Sequence, residues 1–190
     1  MLNSLSSPWT FAAWGIDIIR EIRSNTLNRH KYIVVAIDYF SRWIEVESFG
    51  TLKAKQMARF IEKSLICRYG FPHHIVIDNG VQFQAETAEL LQRYGIEHHK
   101  SSPYRPQANR AVEAANKNIK RILSKMVKTY KDWSEYLPFS LWGYRTTMRT
   151  ATGQTPFSLV YGCEAVLPIE TEIKSLRVVM EARIPENEWA

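Results

Sequence analysis

The sequence has 190 residues, which is enough for one domain with a sizeable core and an additional tail. Hydrophobic residues make up 45% of the chain and charged residues 23%, a balance that excludes a largely disordered protein. The net charge of +6 is compatible with a polyanionic partner, and two widely separated cysteines, Cys67 and Cys163, argue against a disulfide framework or a Cys-based zinc site.

The start of the chain lacks the charged and apolar regions of a secretory signal, so none is expected. The longest apolar run, residues 32–37, is too short to span a bilayer. These features predict an intracellular protein without membrane association.

Three short apolar segments in the first fifty residues have the pattern of β-strands. Residues 1–12 are rich in Ser and contain Pro8, so we expect an irregular arm that leads into the domain. A first strand is predicted over residues 14–19, followed by a turn over residues 20–30. Residues 32–38 are nearly continuously apolar and predict a strand buried on both faces, and residues 43–47 alternate and predict a third. Because the connections are short, we expect an antiparallel meander.

The apolar period changes to that of a helix between Lys53 and Arg68, and residues 70–72 (GFP) end that helix. Its inward face is expected to carry Ala54, Met57, Ala58, Ile61 and Leu65. Residues 74–78 predict a short buried strand. A second helix is predicted over residues 83–94, followed by a short strand over residues 96–98. The inward positions of that helix are expected at Ala88 and Leu91, with Leu90 as a further candidate.

The second half of the chain is predicted to be mainly helical. After a loop over residues 101–107, Asn109 is a suitable cap for a helix that runs to about Tyr130, and another helix follows over residues 133–147. The buried stripe of the first helix is expected at Val112, Ala115, Ile119, Ile122, Met126 and Tyr130. The order of elements predicts an α/β core with a mixed sheet over residues 13–150 and a partly irregular, extended C-terminal extension over residues 151–190 that packs on the core or on a neighbour.

Three acidic residues lie where ligands and chemistry are usually found in an α/β domain. Asp17 lies inside an apolar strand, Asp78 at the end of another, and Glu113 near the start of a helix. Converging carboxylates repel one another, and a hard divalent cation such as Mg²⁺ relieves this repulsion. Two such ions about 3.5–4 Å apart can serve phosphoryl transfer. The alternative is that Asp78 is a turn residue and Glu113 interacts only with the helix dipole.

Positive charge is concentrated in one segment of the chain. Residues 100–150 contain eleven Lys or Arg and three acids, a net charge of +8, so the remainder is slightly acidic. Lys117 and Lys120 follow Glu113 at spacings that share its helical face. This pattern favours a phosphate-binding surface about as strongly as it favours an ordinary solvated helix face.

Two further groups of side chains permit a functional and a structural interpretation. Neighbouring side chains on a strand point apart, so neither the pair His73-His74 nor the pair His98-His99 makes a closed zinc site alone, and a structural or surface role is favoured. Aromatic residues at helical spacing favour core packing or a dimer interface over base stacking: Trp133, Tyr136, Phe139, Trp142 and Tyr144.

Five short blocks, in order along the chain, resemble the integrase core of retroviruses and, more closely, that of gypsy-type LTR retrotransposons, those of plants especially. The blocks are residues 14–17 (WGID), 32–43 (YIVVAIDYFSRW), 78–83 (DNGVQF), 102–117 (SPYRPQANRAVEAANK) and 155–162 (TPFSLVYG). A single block such as Asp-Asn-Gly is a weak signal. The five together cover nearly the whole chain and are highly specific.

The resemblance implies a ribonuclease H-like fold, with a mixed five-stranded sheet flanked by helices. It implies that Asp17, Asp78 and Glu113 are catalytic and bind two Mg²⁺ or Mn²⁺ ions. Members of the family are polynucleotidyl transferases that trim the 3′ ends of element DNA and join them to target DNA. The implied partners are both DNAs and further copies of the chain, and the implied location during DNA recombination is the nucleus. By position, Asn109, Lys117 and Lys120 match family residues that contact DNA ends, and Arg105 and Arg110 are further candidates for nucleic-acid contacts.

The chain departs from the family pattern in three places. Asp78 and Glu113 are separated by 34 residues, one fewer than is common in the family. Arg110 stands where the family usually has glycine, and it either obstructs the DNA backbone or adds a phosphate contact. Residues 20–22 (REI) replace a turn usually written Gly-Pro-Ile.

The sequence also does not supply the His-His-Cys-Cys zinc module found upstream in the family, so we expect a fragment of a larger polyprotein with weak activity in isolation. The alternative function is a nucleic-acid-binding or interaction protein that derives from such an element and has no enzyme activity. A ribonuclease H-like nuclease is disfavoured by the blocks around residues 79–80 and 106–109.

Overall fold

The computed structural model describes residues 9–19, 30–77, 86–100, 117–119, 121–122, 125, 133–150 and 152–167 of the 190-residue chain. Within this part of the chain, five strands form one mixed sheet: β1 (Ala13–Ile19), β2 (Tyr32–Asp38), β3 (Ile44–Phe49), β4 (His74–Ile77) and β5 (Glu97–Lys100). Across the sheet they lie in the order β3-β2-β1-β4-β5. The first three strands pair antiparallel, which confirms the predicted meander, and β4 pairs parallel with both β1 and β5.

The described helices cover both faces of this sheet. They are α1 (Ala54–Phe60), a π-helical segment (Ile61–Ile66), α2 (Cys67–Tyr69), α3 (Glu86–Arg93), α4 (the helical residues 117–119, 121–122 and 125), α5 (Leu137–Arg145) and α6 (Pro156–Tyr161). None of these described helices has the length and apolar character that crossing a membrane requires.

Strand alternation divides the buried side chains into two clusters, one on each side of the sheet. We call the side covered by α1, the π-helical segment and α3 face 1, and its strand residues include Trp14, Ile16, Ala36, Ile75 and Ile77. We call the side covered by α4 and α5 face 2, and its strand residues include Ala13, Val35, Ile37 and Val76. The domain is therefore a sheet between two helical layers, as the order of predicted elements indicates.

The predicted helix after Lys53 is confirmed in its extent but differs in its internal geometry. Met57, Ile61 and Leu65 are buried, as the apolar period predicts. From Ile61 to Ile66 the backbone is π-helical, a local change that side-chain periodicity does not reveal. Gly70 ends the helical stretch with a φ of +85°, in the left-handed region that favours glycine.

Two details of the helix predictions are wrong. In α3 the buried side chains are Thr87, Leu90 and Leu91, whereas Ala88 is exposed, because the three buried positions follow the i, i+3, i+4 spacing of one helical face. The helix expected from residue 133 begins only at Leu137, and residues 133–136 form a turn. Pro138 lies in the first turn of α5, where a proline is tolerated because no backbone N–H is required there.

The extended conformation predicted at residues 155–157 is also wrong, because these residues begin a helix. The side chain of Thr155 caps α6 by accepting a hydrogen bond from the backbone N–H of Ser158 at 2.9 Å. Phe157 and Val160 pack against face 1, which confirms that this part of the extension packs on the core. The predictions for residues 1–8, 20–29, 78–85, 101–116, 120, 123–124, 126–132, 151 and 168–190 lie outside the described residues.

Candidate functional site

Asp17 lies on the central strand β1, with its side chain half-buried. It pairs with Val35 of β2, and strand alternation places it on face 2 together with Ala13. Its Oδ1 accepts a hydrogen bond from the backbone N–H of Ile18 at 2.8 Å. The fold therefore presents one of the predicted catalytic carboxylates on the side of the sheet that α4 and α5 cover.

Most of the other predicted site residues lie outside the described residues, namely Asp78, Arg105, Asn109, Arg110, Glu113 and Lys120. Two described segments adjoin them in the chain. β4 ends at Ile77, which pairs with Ile16 of β1 in a parallel register. In α4, Lys117 is exposed and Ile119 is buried on face 2. The structure thus describes Asp17 and Lys117 directly. It also describes β4, which precedes Asp78 in the chain, and the α4 residues that follow Glu113.

Asp38, at the end of β2, is a buried acid with a structural role. Its carboxylate accepts hydrogen bonds from the backbone N–H of Phe11 at 2.9 Å and from the backbone N–H and hydroxyl of Ser41 at 2.7 and 2.6 Å. Burial raises the pKa of the Asp38 carboxyl, although these donors oppose the rise. Asp38 pairs with Trp14 of β1, but alternation places its side chain on face 1, on the opposite side of the sheet from Asp17, so it is not part of the same site.

A second buried acid, Glu45 of β3, attaches α5 to the sheet. Arg145 of α5 donates to Oε1 of Glu45 at 2.8 Å, and Arg68 donates to Oε2 at 2.8 Å. The Tyr69 hydroxyl and the Trp43 indole N–H also donate to this carboxylate. The guanidinium carbon of Arg145 lies 4.2 Å from the centre of the Trp43 ring. Burial lowers the pKa of Arg145, and the Glu45 carboxylate opposes this change.

Side chains with metal-ligand chemistry meet at the edge of the sheet, on β4 and β5. The register pairs His74 with Glu97 and Val76 with His99, so His74, Glu97 and His99 project from the same face. One ligand atom from each lies within 4.8 Å of the other two. Each of the two histidine pairs in the sequence contributes one member. The signal that would have revealed the group is a Glu-x-His alternation beside a neighbouring strand that begins with His.

The late aromatic cluster divides into a buried and an exposed part. Trp133 and Tyr144 are buried on face 2, so for these two the structure shows core packing, one of the two predicted roles. Tyr136, Phe139 and Trp142 are exposed, and Phe139 is 67% exposed. The exposed members leave an apolar surface on α5 and the turn before it.

Residues 10–106 of the chain match the family model described as the Integrase core domain. The Gag-Pol polyprotein of gibbon ape leukemia virus is 34% identical over 152 residues, which are 78% of this chain and 9% of the polyprotein. The Gag-Pol polyprotein of avian reticuloendotheliosis virus is 28% identical over 184 residues, which are 90% of this chain and 16% of the polyprotein. The chain therefore spans only a small part of the length of these relatives.

Solved structures of similar fold agree with this match. The catalytic core domain of BIV integrase superposes with a TM-score of 0.63 and 26% identity, covering 85% of this chain and 96% of that one. A chain of the simian T-cell lymphotropic virus intasome in complex with PP2A regulatory subunit B56 gamma gives a TM-score of 0.70 and 22% identity, covering 87% of this chain and 59% of that one. These likenesses confirm the predicted ribonuclease H-like fold with its mixed five-stranded sheet.

Proposed function

This chain belongs to the integrase core domain family, and on that premise we propose that it is the catalytic core of a retroelement integrase. The family is one of polynucleotidyl transferases that normally use divalent metals. The proposed reactions are trimming of the 3′ ends of element DNA and their transfer to target DNA. The blocks at residues 102–109 and 155–162 support an origin in a gypsy-type LTR retrotransposon of the plant kind. Because the target is chromosomal DNA, the proposed location is the nucleus.

The observation that carries this proposal is the register of β1 and β4. Ile16 pairs with Ile77 in a parallel register, and the next residues in the chain are Asp17 and Asp78. We infer that this register continues by one residue, which would make the two acids neighbours on strands about 4.8 Å apart. Val76, two residues before Asp78, lies on face 2, and we infer that Asp78 continues this alternation on the side of the sheet that carries Asp17.

The position of α4 supports Glu113 as the third acid. Ile119 of α4 is buried on face 2, the side of the sheet that carries Asp17. Glu113 precedes Lys117 by four residues and Lys120 by seven, so a continuous helix places all three on one face. Lys117 is exposed, which leaves its ammonium available to a phosphate beside that acid.

The chemistry of the donor set fits the proposed cofactor. Asp17, Asp78 and Glu113 offer only carboxylate oxygens, the ligands that Mg²⁺ and Mn²⁺ prefer, and these three residues would hold the two ions. When bound, the ions would supply activation of the attacking water or 3′-hydroxyl and stabilise charge at the leaving oxygen. The half-burial of Asp17 favours this role because a partly dehydrated carboxylate among like charges gains most from a bound cation.

The basic segment supplies the proposed contacts with DNA. Lys117, Lys120, Arg105 and Arg110 would bind backbone phosphates and Asn109 would hydrogen-bond to the DNA end, so that the reacting phosphodiester is held beside the acids. The exposed aromatic surface on α5 supports assembly of the chain into a homo-oligomer around the DNA, because an apolar patch of this kind usually marks an interaction surface.

The test is a strand-resolution assay. The 190-residue chain is incubated with Mn²⁺ and a branched DNA that mimics the product of strand transfer, and release of the resolved strands is measured. We expect slow but measurable resolution by the wild type. Asp17→Asn and Glu113→Gln should each lower the rate by about 100-fold or more, since a metal ligand contributes several kcal/mol to the transition state.

The matched control is Glu135→Gln, which removes the same charge from an exposed acid in the basic segment and should leave the rate unchanged. A folded chain that binds the branched DNA but never resolves it would contradict the enzyme and favour the second candidate, a nucleic-acid-binding protein that has lost catalysis. The departure at Arg110 favours that candidate, so an Arg110→Gly variant belongs in the same assay. A gain of strand resolution in Arg110→Gly would identify the arginine at this position as the cause of lost activity.

A further inference from the structure

The group formed by His74, Glu97 and His99 lies apart from the carboxylate site along the strands. His74 is the first residue of β4 and pairs with Ala13, the first residue of β1. Asp17 lies four residues further along β1, which corresponds to about 13 Å at the rise of a parallel strand. The two groups are on the same face of the sheet, but at this separation they cannot share one ion.

The distances between the three ligand atoms match the distances between ligands in a tetrahedral zinc site. Nδ1 of His74 lies 3.2 Å from Oε2 of Glu97 and 3.2 Å from Nε2 of His99. Nε2 of His99 lies 3.4 Å from Oε2 of Glu97. Ligands bound tetrahedrally to Zn²⁺ at its usual bond length are about 3.3–3.4 Å apart. The three side chains are thus already at ligand spacing without rearrangement of the strands.

Hydrogen bonding alone leaves this geometry incompletely explained. Each imidazole nitrogen carries either one proton or one lone pair, directed in the plane of its ring. Nδ1 of His74 nevertheless lies at 3.2 Å from two different polar atoms, and the three atoms form a nearly equilateral triangle. Protons on the two nitrogens satisfy the two edges that meet at Oε2 of Glu97 but leave the nitrogens facing each other at 3.2 Å, whereas a cation near the centre of the triangle binds all three lone pairs.

We propose that His74, Glu97 and His99 form a zinc site that joins the edge strand β5 to β4, with its fourth position open to water. The side chains are 34%, 67% and 40% exposed for His74, Glu97 and His99 respectively, so an ion can enter from solvent. Two imidazoles and one carboxylate select a borderline ion such as Zn²⁺ over Mg²⁺, which prefers oxygen ligands alone. Because β5 is a four-residue strand at the edge of the sheet, a metal bridge would stabilise its pairing with β4.

The test measures metal binding directly on the 190-residue chain. Zn²⁺ is titrated in the presence of excess Mg²⁺, which occupies carboxylate sites that prefer hard ions. We expect one equivalent of Zn²⁺ to bind. In a separate titration, Co²⁺ should give the visible absorption of a tetrahedral complex. At a hundredfold excess over its dissociation constant, Zn²⁺ should raise the melting temperature by about 5 °C.

Variants assign the binding to these residues. His74→Ala and His99→Ala should each weaken Zn²⁺ binding by at least about tenfold and abolish the Co²⁺ absorption. His98→Ala is the matched control, because its exposed side chain points to the other side of β5, and it should bind like the wild type. Asp17→Asn should also bind like the wild type, which separates this site from the carboxylate site.

Two results would overturn the proposal. One is the absence of saturable Zn²⁺ binding by the wild-type chain in excess Mg²⁺, an outcome that does not depend on whether any variant folds. The other is binding by His74→Ala and His99→Ala that equals that of His98→Ala. Either result assigns the triangle to a hydrogen-bonded cluster of the sheet edge.

Discussion

The buried pair of Arg145 and Glu45 gives the sharpest prediction about stability. Replacing Arg145 with Met keeps an unbranched apolar side chain against Trp43 but removes the guanidinium that donates to Glu45. The Glu45 side chain is only 5% exposed, so its charge loses a partner that water does not replace. Loss of one member of a buried ion pair costs about 3–5 kcal/mol. Arg68, Tyr69 and Trp43 still donate to Glu45, so we expect the lower end of that range.

Arg68 provides a matched control, because it binds the same carboxylate as Arg145. Arg68 binds the other oxygen of Glu45 at the same 2.8 Å, but its side chain is 50% exposed, whereas that of Arg145 is 18% exposed. An ion pair with one partner in solvent contributes about 0–1 kcal/mol. Arg145→Met should therefore lower the free energy of unfolding by about 3 kcal/mol and Arg68→Met by less than about 1 kcal/mol. The corresponding fall in melting temperature for Arg145→Met is about 6–12 °C.

The assay is urea unfolding followed by tryptophan fluorescence, with thermal melting as a second measurement. The double variant Glu45→Gln/Arg145→Met completes the cycle. Because Glu45→Gln removes the charge that Arg145→Met leaves buried, the double variant should be at least as stable as Arg145→Met alone. Equal losses for the two arginine variants, or losses that simply add in the double variant, would refute the reasoning that burial sets the strength of this interaction.

Two further predictions concern backbone conformation and pH. Gly95→Ala should lower the free energy of unfolding by about 1 kcal/mol, because φ at this position is +64°; no neighbouring atom lies within 4 Å of the added Cβ, so backbone strain is the whole effect. Gly143→Ala inside α5 should raise the free energy of unfolding by about 0.5–1 kcal/mol, because alanine favours the helix and its Cβ also meets no atom within 4 Å. The urea midpoints of the two variants check both signs. Burial raises the pKa of Asp38 above its ordinary 3.8, so the folded state holds the proton more tightly and the contribution of Asp38 to stability grows as pH falls through its raised pKa. The stability of the wild type relative to Asp38→Asn should therefore improve as pH is lowered from about 7 to about 4, and a difference that moves the opposite way would contradict the raised pKa.

The sheet could be predicted from sequence because each strand carries its own signal. Residues 32–38 are almost continuously apolar, and this strand is buried on both faces in the structure. The position of Asp17 can be singled out for a related reason, because a charged residue inside an apolar strand differs from its neighbours. Local pattern therefore fixed the position of the strands and of the first acid.

The Glu45 network could not be predicted, because its partners are separated by long stretches of chain. Arg145 lies 100 residues after Glu45, and neither residue is unusual in its local context. The same limit applies to the histidine group, in which His74 and His99 lie on different strands. Their meeting depends on the parallel register of β4 and β5, and a sequence pattern does not specify register between strands that are joined by a helix.

The two proposed metal sites on face 2 differ in coordination chemistry, and this difference makes their functions separable by experiment. The proposed site at Asp17 offers oxygen donors alone, which favour Mg²⁺ or Mn²⁺, whereas two imidazoles favour Zn²⁺ at His74 and His99. A chelator selective for Zn²⁺ should therefore destabilise β5 without emptying the carboxylate site. If strand resolution nevertheless falls when Zn²⁺ is removed, the edge of the sheet must influence catalysis through the fold. The chain runs from β5 directly into residues 102–109 and from β4 directly into Asp78, so this coupling would act on the proposed DNA contacts through β5 and on the proposed metal ligand Asp78 through β4.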